Sequence, residues 1–168
     1  MTSDRELAPS YVDVVRASER RLVRLGVMLT GNEHTAEDLV QTVLARAHRK
    51  WDRISAADRP EAYLRTMVLN EFLSWRRLLK NNEVLLAEPI ELPAYDDVGL
   101  RQAQRDATWQ LLAKLPRKQR AVLVLRYYED LPDGEIAEVL GVVAATVRSN
   151  AARALATLRE HLTAEETN

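Results

Sequence analysis

Residues 80 to about 100 divide this chain in two. Asn81-Asn82, Pro89, Pro93, Asp96-Asp97 and Gly99 fall within twenty positions, and no apolar residue recurs there with a helical or strand period. Prolines, asparagines and glycine in such density are linker chemistry, so the domain boundary is placed here. Each half must therefore bury its own apolar face. At 168 residues the chain has room for one ordinary domain or two small ones. Hydrophobic residues make up 46% of it and aromatics only 5%, with Leu, Ala, Val, Arg and Glu dominant. Those are helix formers and poor sheet formers. The expected fold class is all-α, two small helical domains joined by a flexible linker.

The periodicity agrees. A helix is expected over 10–29, opened by Ser10 with Asp13 three residues on, and carrying Val15, Leu22, Leu25 and Leu29 along one face. Gly26 weakens its interior and Thr30-Gly31-Asn32 stops it. A second helix is expected to start at Thr35, with Leu39, Val43, Ala47 and Trp51 on the apolar side and Asp38, Gln41, Thr42, Ala45 and Arg49 opposite. The stretch 54–59 breaks the pattern. Pro60 suits the first turn of a third helix running to about residue 79. Beyond the linker, helices are expected over 103–115, from Pro116 to 126 or 128, over 135–140 and over 145–162, with a turn at Leu131-Pro132-Asp133-Gly134 and a frayed tail over 163–168.

Several chemistries are excluded. There is no cysteine, hence no disulfide, thiolate metal site or cysteine nucleophile, which suits a reducing cytoplasm. His34, His48 and His161 lack metal-ligand spacing, and the five glycines form no phosphate-cradling loop. Asp96-Asp97 and Glu165-Glu166 are neighbours in sequence rather than an acid and base held across a cleft. No catalytic residue, no metal and no cofactor are expected, and the chain is read as a non-enzyme. The polar start Met1-Thr-Ser-Asp-Arg-Glu lacks the apolar stretch of a signal peptide, and no stretch approaches the ~20 apolar residues that span a bilayer. No membrane role is expected.

The formal net charge of -1 argues at first against a nucleic-acid partner. The charge is unevenly spread, however. Between Glu83 and Leu100 lie Glu83, Glu88, Glu91, Asp96 and Asp97 with no Lys or Arg, so the remainder of the chain is net positive. Binding follows local patches, not the total.

The most specific pattern lies between Asp133 and Arg153. Helix-turn-helix units need a small residue where the helices cross, a residue tolerant of positive φ at the turn, and an apolar anchor on the second helix. Ala137, Gly141 and Val147 supply these in order. The second helix then carries Thr146, Arg148, Ser149, Asn150 and Arg153, side chains that hydrogen-bond base edges and phosphates in a major groove. A plain helical hairpin with a solvated face is the structural alternative, and a Gly between helices is common enough not to decide alone.

The run Leu115-Pro116-Arg117-Lys118-Gln119-Arg120-Ala121-Val122, followed by Leu125-Arg126-Tyr127-Tyr128-Glu129-Asp130-Leu131, Glu135-Ile136-Ala137 and Leu140-Gly141, closely resembles region 4 of the extracytoplasmic-function sigma factors of the sigma-70 family, SigE-like subgroup. The resemblance implies that this domain (103–162) reads the -35 promoter element through Thr146, Arg148, Ser149, Asn150 and Arg153 and sits on the polymerase β flap. Arg117, Lys118 and Arg120 occupy positions suited to phosphate contacts. Ala145 departs from the family, which has Gly there, and Asn150 with Ala152 replaces bulkier or basic residues. These departures leave the -35 sequence undefined.

The first half matches independently. Leu29-Thr30-Gly31-Asn32, Ala36-Glu37-Asp38-Leu39-Val40-Gln41, Leu44-Ala45-Arg46-Ala47 and Trp51 resemble region 2.1–2.2, which docks on the β′ clamp helices of core RNA polymerase. That similarity assigns Asp38, Gln41 and Arg49 to polymerase binding. Tyr63-Leu64-Arg65-Thr66-Met67-Val68-Leu69-Asn70 and Trp75-Arg76-Arg77 resemble regions 2.3–2.4, which melt and read the -10 element; Arg65, Asn70, Arg76, Arg77 and Lys80 would face that DNA. Opening a duplex costs a few kcal/mol per unstacked step, so cations and pockets must compensate. The stretch 54–60 offers a frame for a flipped base, while Tyr63 and Trp75 are better read as core.

The expected organisation is thus region 2 over 10–80, an acidic linker over 81–102 and region 4 over 103–162. Roughly twenty extended residues reach at most ~60–70 Å, about two turns of B-DNA at ~34 Å each. Core RNA polymerase and promoter DNA are the implied partners, with an anti-sigma factor as the regulator that members commonly have. Two alternatives stay open: a stand-alone helix-turn-helix transcriptional regulator that footprints DNA unaided, and a helical protein-interaction module with no DNA role.

Overall fold

The computed structural model describes residues 8–79 and 107–167, which form helices joined by short turns, with no strand among them. Helix α1 spans Tyr11–Thr30, α2 Glu33–Arg49, α3 Trp51–Ser55 and α4 Pro60–Leu79. In the second half α5 covers 107–113, α6 Arg117–Leu123, α7 Asp133–Leu140 and α8 Ala144–Glu166. The expected linker, 81–102, lies outside the described residues.

Local chemistry sets the helix ends. Ser10 caps α1: its Oγ accepts the Asp13 N–H at 3.2 Å and donates to the Asp13 carboxylate at 2.7 Å. For α2 the cap is Asn32, not Thr35. The Asn32 Oδ1 accepts the Thr35 N–H at 2.9 Å, so the helix starts two residues before its expected first residue. An amide side chain just outside a helix competes well for the free N–H groups of its first turn, and Thr35 is left inside.

The first half packs α1, α2 and α4 around Leu22, Leu25, Leu29, Leu39, Val40, Val43, Leu64, Val68 and Phe72, all buried. Gly26 is not a defect of α1. A Cβ there would stand 2.9 Å from the Ala36 Cβ, so the glycine lets α1 and α2 approach closely. Tyr11 donates its hydroxyl to the Leu44 carbonyl at 3.0 Å and meets His48 and Trp51 edge-on. Glu71, buried on α4, forms a two-pronged ion pair with Arg46 of α2.

In the second half α6 does not stop at Leu123. Its turns widen over Val124–Tyr128, where the Glu129 N–H reaches back five residues to the Val124 carbonyl at 3.0 Å. Leu112, Leu115, Val122, Leu125, Ile136, Val147, Ala151 and Ala154 form its core. The tail expected to fray is helical instead. α8 continues to Glu166, and Lys114, just past the end of α5, pairs with Glu165 at 3.3 Å.

The halves meet along a seam where α1 and α4 face α6, the widened turns and α7. No single pair of helices across it packs as extensively as α1 on α2 or α6 on α8, and the buried apolar residues of the two halves form one continuous core.

Candidate nucleic-acid interface

The turn between α7 and α8 follows from Gly141. At φ +65° it takes a left-handed conformation that only glycine adopts without strain. The Val142 N–H then returns to the Ala137 carbonyl at 3.0 Å and the Gly141 N–H to Glu138 at 3.3 Å, closing the C-terminus of α7. Arg126 pins the other end of α7 through Asp133 at 2.7 Å.

α8 leaves this turn with Val147, Ala151 and Ala154 buried along one side. At 3.6 residues per turn, Ser149 falls nearly opposite that stripe, with Arg148 on one flank and Thr146 and Arg153 on the other. All four are exposed, and Asn150 is half-buried at the edge. Ala145 and Ala152 are exposed on the same face, leaving it low enough for a groove wall to approach. The expected surface is therefore assembled on one open helix face.

The three basic residues near the start of α6 fare differently. Lys118 is exposed. Arg117 is drawn inward, donating to the Phe72 carbonyl at 3.2 Å with its guanidinium carbon 5.1 Å from the Phe72 ring centre. Arg120 is occupied by main chain, a correction to its expected role at phosphates. It donates to the carbonyls of Leu112 (2.9 Å), Ala113 (3.2 Å), Leu115 (3.2 Å) and, across the seam, Leu29 (2.8 Å). Burial, and secondarily the charge of Arg117, pulls its pKa down to about 10. It remains a cation near neutrality, serving as a cap for the ends of α1 and α5.

On α2, Asp38, Gln41 and Arg49 are exposed on one face, opposite Leu39, Val40, Val43 and Ala47. Asp38 lies 3.7 Å from His34, and the Gln41 amide donates to Glu19 of α1 at 3.4 Å. These are loose surface contacts that a partner can displace.

On α4, Asn70 is exposed. Arg65 is not: its guanidinium pairs with Glu129 at 3.4 Å, with 20% and 11% of the two side chains exposed. As folded here Arg65 faces the second half instead of open solvent, which corrects the expectation of a free cation. The side chains of Trp75, Arg76 and Arg77 lie outside the described residues, as does Lys80. Tyr63 packs against the core as expected. The stretch 54–60 contributes Arg59 and Pro60 to a cavity of about 450 Å³ shared with α1, α4 and Glu129, while Ile54 itself is fully buried.

Sequence reasoning missed Glu71, Glu129, Trp109 and the Arg126–Asp133 pair. Each acts through a partner that no local period marks, except that Arg126 and Asp133 lie seven residues apart on either side of a recognisable turn.

The family described as Sigma-70 region 2 matches residues 14–81, and that described as Sigma-70, region 4 matches 105–158. The RNA polymerase sigma-E factor of Streptomyces coelicolor is 37% identical, over 93% of this chain and 88% of its own length. The ECF RNA polymerase sigma factor SigE of Mycolicibacterium smegmatis is 33% identical, over 96% of this chain and 65% of its own length. Among solved structures, the extracytoplasmic function sigma factor SigJ of Mycobacterium tuberculosis superposes with a TM-score of 0.63 at 27% identity, covering 88% of this chain and 52% of that one. The sigma factor RpoE of Bartonella quintana, solved with the anti-sigma factor NepR, shares the fold with a TM-score of 0.70 at 24% identity, covering 91% of this chain and 96% of that one.

Proposed function

Because the chain belongs to the extracytoplasmic-function RNA polymerase sigma factors of the sigma-70 family, we propose that α8 reads the -35 element, α4 faces the -10 element, and α2 docks on core polymerase. The family-level function is promoter-specific transcription initiation together with core RNA polymerase. The division of labour among residues is our reading, and the open face of α8 carries it.

Thr146, Arg148, Ser149 and Arg153 offer donors of different reach on one exposed helix face, with Asn150 at its margin. Arginine donates to two acceptors of a guanine at once, and hydroxyls reach phosphates or bases. Lys118 adds a phosphate contact beside them. Arg117, drawn toward Phe72, lies beside it, whereas Arg120 keeps a structural role. On α4, Asn70 hydrogen-bonds an exposed base edge, with Arg76, Arg77 and Lys80 as cations along the strand. On α2, Asp38, Gln41 and Arg49 present both charges to the β′ clamp helices, where such pairs set register and encounter rate more than raw affinity; the second half sits on the β flap.

The chain acts by binding and positioning, with catalysis left to the polymerase, and it works in the cytoplasm. Among the described residues no helix is long and apolar enough to cross a membrane, and no cluster of side chains is arranged to hold a metal. RpoE of Bartonella quintana was solved with an anti-sigma factor, and regulation by a protein of that kind is proposed here as well.

The test is reconstituted transcription with core polymerase. The double change Arg148→Ala/Arg153→Ala should cut initiation by about tenfold or more and lower the salt slope of promoter binding by roughly two, since each arginine displaces about one counterion. Both side chains are exposed, so folding and core association should be unaffected. Undiminished initiation would overturn the assignment of α8, and a footprint by the protein alone would favour a stand-alone regulator.

A further inference from the structure

The first turn of α8 offers DNA something other than hydrogen bonds. We propose that Val143, with Ala145 two residues on, reads the C5-methyl group of a thymine at the end of the -35 element that the start of α8 enters, which makes that base pair A·T. The proposal deepens the reading of α8 as the -35 helix and rests on it.

Val143 is a poor residue for the place it holds. It is the N-cap of α8, at φ -80° and ψ 154°, where its carbonyl accepts the N–H groups of Thr146 at 3.0 Å and Val147 at 3.3 Å. Its side chain cannot accept a hydrogen bond from the first turn, whereas Ser10 and Asn32 do so for α1 and α2. The valine does not gain by burial either. Its 67% exposure exceeds that of every other large apolar side chain among the described residues. Its neighbours on both sides, Val142 and Ala144, pack against the core instead. A lone exposed valine is ordinary on a protein surface; the place of this one makes it informative.

The leading residues of the second helix in a helix-turn-helix are those that come nearest to base edges. Here the first three side chains, Val143, Ala144 and Ala145, hold no donor or acceptor, and Thr146 is the first that does. Ala145 is exposed, as Val143 is. Aliphatic groups cannot distinguish the donor and acceptor patterns of the four base pairs. The one feature of the major groove that they select is the thymine methyl. The surroundings suit a polyanion. Arg148 and Arg153 are exposed further along α8 and Lys118 on α6, and no carboxylate stands in the first turn of α8 to repel phosphates. Burying one methyl against aliphatic carbon changes affinity about fourfold, enough to fix one base pair of a promoter element.

The test uses polymerase holoenzyme carrying the full-length chain. Promoters selected from a library randomised across the -35 element should return an A·T pair at one end of it. Replacing the thymine of that pair by deoxyuridine removes only the methyl, and should weaken promoter binding by the wild-type holoenzyme about fourfold. Val143→Ser supplies the missing cap, so the variant stays folded; it should bind the thymine and deoxyuridine promoters equally. Equal binding of both promoters by the wild type would overturn the proposal, as would a fourfold loss that persists in Val143→Ser or a selected element with no A·T pair at either end. Weaker association of Val143→Ser with core polymerase, beside an unchanged response to deoxyuridine, would assign Val143 to a protein contact and overturn it too. The reading of α8 is judged separately. If Arg148→Ala/Arg153→Ala leaves initiation undiminished, that reading falls; if initiation is lost while the wild type ignores deoxyuridine, the reading stands and only the methyl contact is removed.

Discussion

A guanidinium that donates to four main-chain carbonyls has no substitute among the other side chains. Arg120 spans the ends of α1 and α5 because its planar fork sends donors in several directions at once. A lysine keeps the charge but cannot reach four acceptors, leaving partly buried carbonyls unpaired. Arg120→Lys should therefore cost about 2 kcal/mol, the scale of a lost charge-assisted hydrogen bond, read as a lower urea midpoint with an unchanged slope. If Arg120 instead served at phosphates, as its position near a helix start suggests, stability would stay level and only the salt dependence of promoter binding would change. Nothing local in the sequence distinguishes these roles, since the Leu29 carbonyl comes from 91 residues away. Exposed residues are the opposite case. Asp38, Arg49 and Arg148 could be placed from helical spacing alone, because a residue opposite a buried stripe has nowhere to go but the surface.

Between residue and molecule stands the pair of helices α7 and α8. Their turn depends on a positive φ at Gly141, yet nothing lies within 4 Å of where a Cβ would be. The strain of replacing it is confined to the backbone. Gly141→Ala is expected to destabilise by about 1–2 kcal/mol, the cost of a left-handed residue, and Gly141→Asn by less, because asparagine tolerates that conformation. Equal urea midpoints for the two variants would show that steric contact rather than φ governs the position. This unit was legible before the structure because all its signals lie within about twenty residues: small crossing residue, glycine turn, buried valine, polar outer face. Its boundaries were less so. The end of α8 carries a surface contact between Glu165 and Lys114 that no local pattern marks, and the widened turns over Val124–Tyr128 leave no signature in the sequence.

For the whole molecule, the seam should couple the unfolding of the halves. Closed, the chain is expected to melt in one calorimetric transition. Combining Glu129→Arg with Trp109→Ala, which strips both the ion pair and the indole from the seam, should separate two transitions, as domains with weak interfaces behave independently. A single transition in the double variant would mean that the apolar core alone fuses the halves. The all-helical class, the two apolar-faced halves and the exposed polar face of α8 were determined by the sequence itself, because periodicity, caps and turns are encoded within a few residues of where they act. The tertiary structure alone decided that Arg65, Arg117 and Arg120 turn toward the chain's own oxygens. A basic side chain has the same sequence signature whether its acceptor is a phosphate or a carbonyl, and only the packing of distant helices determines which of the two comes within reach.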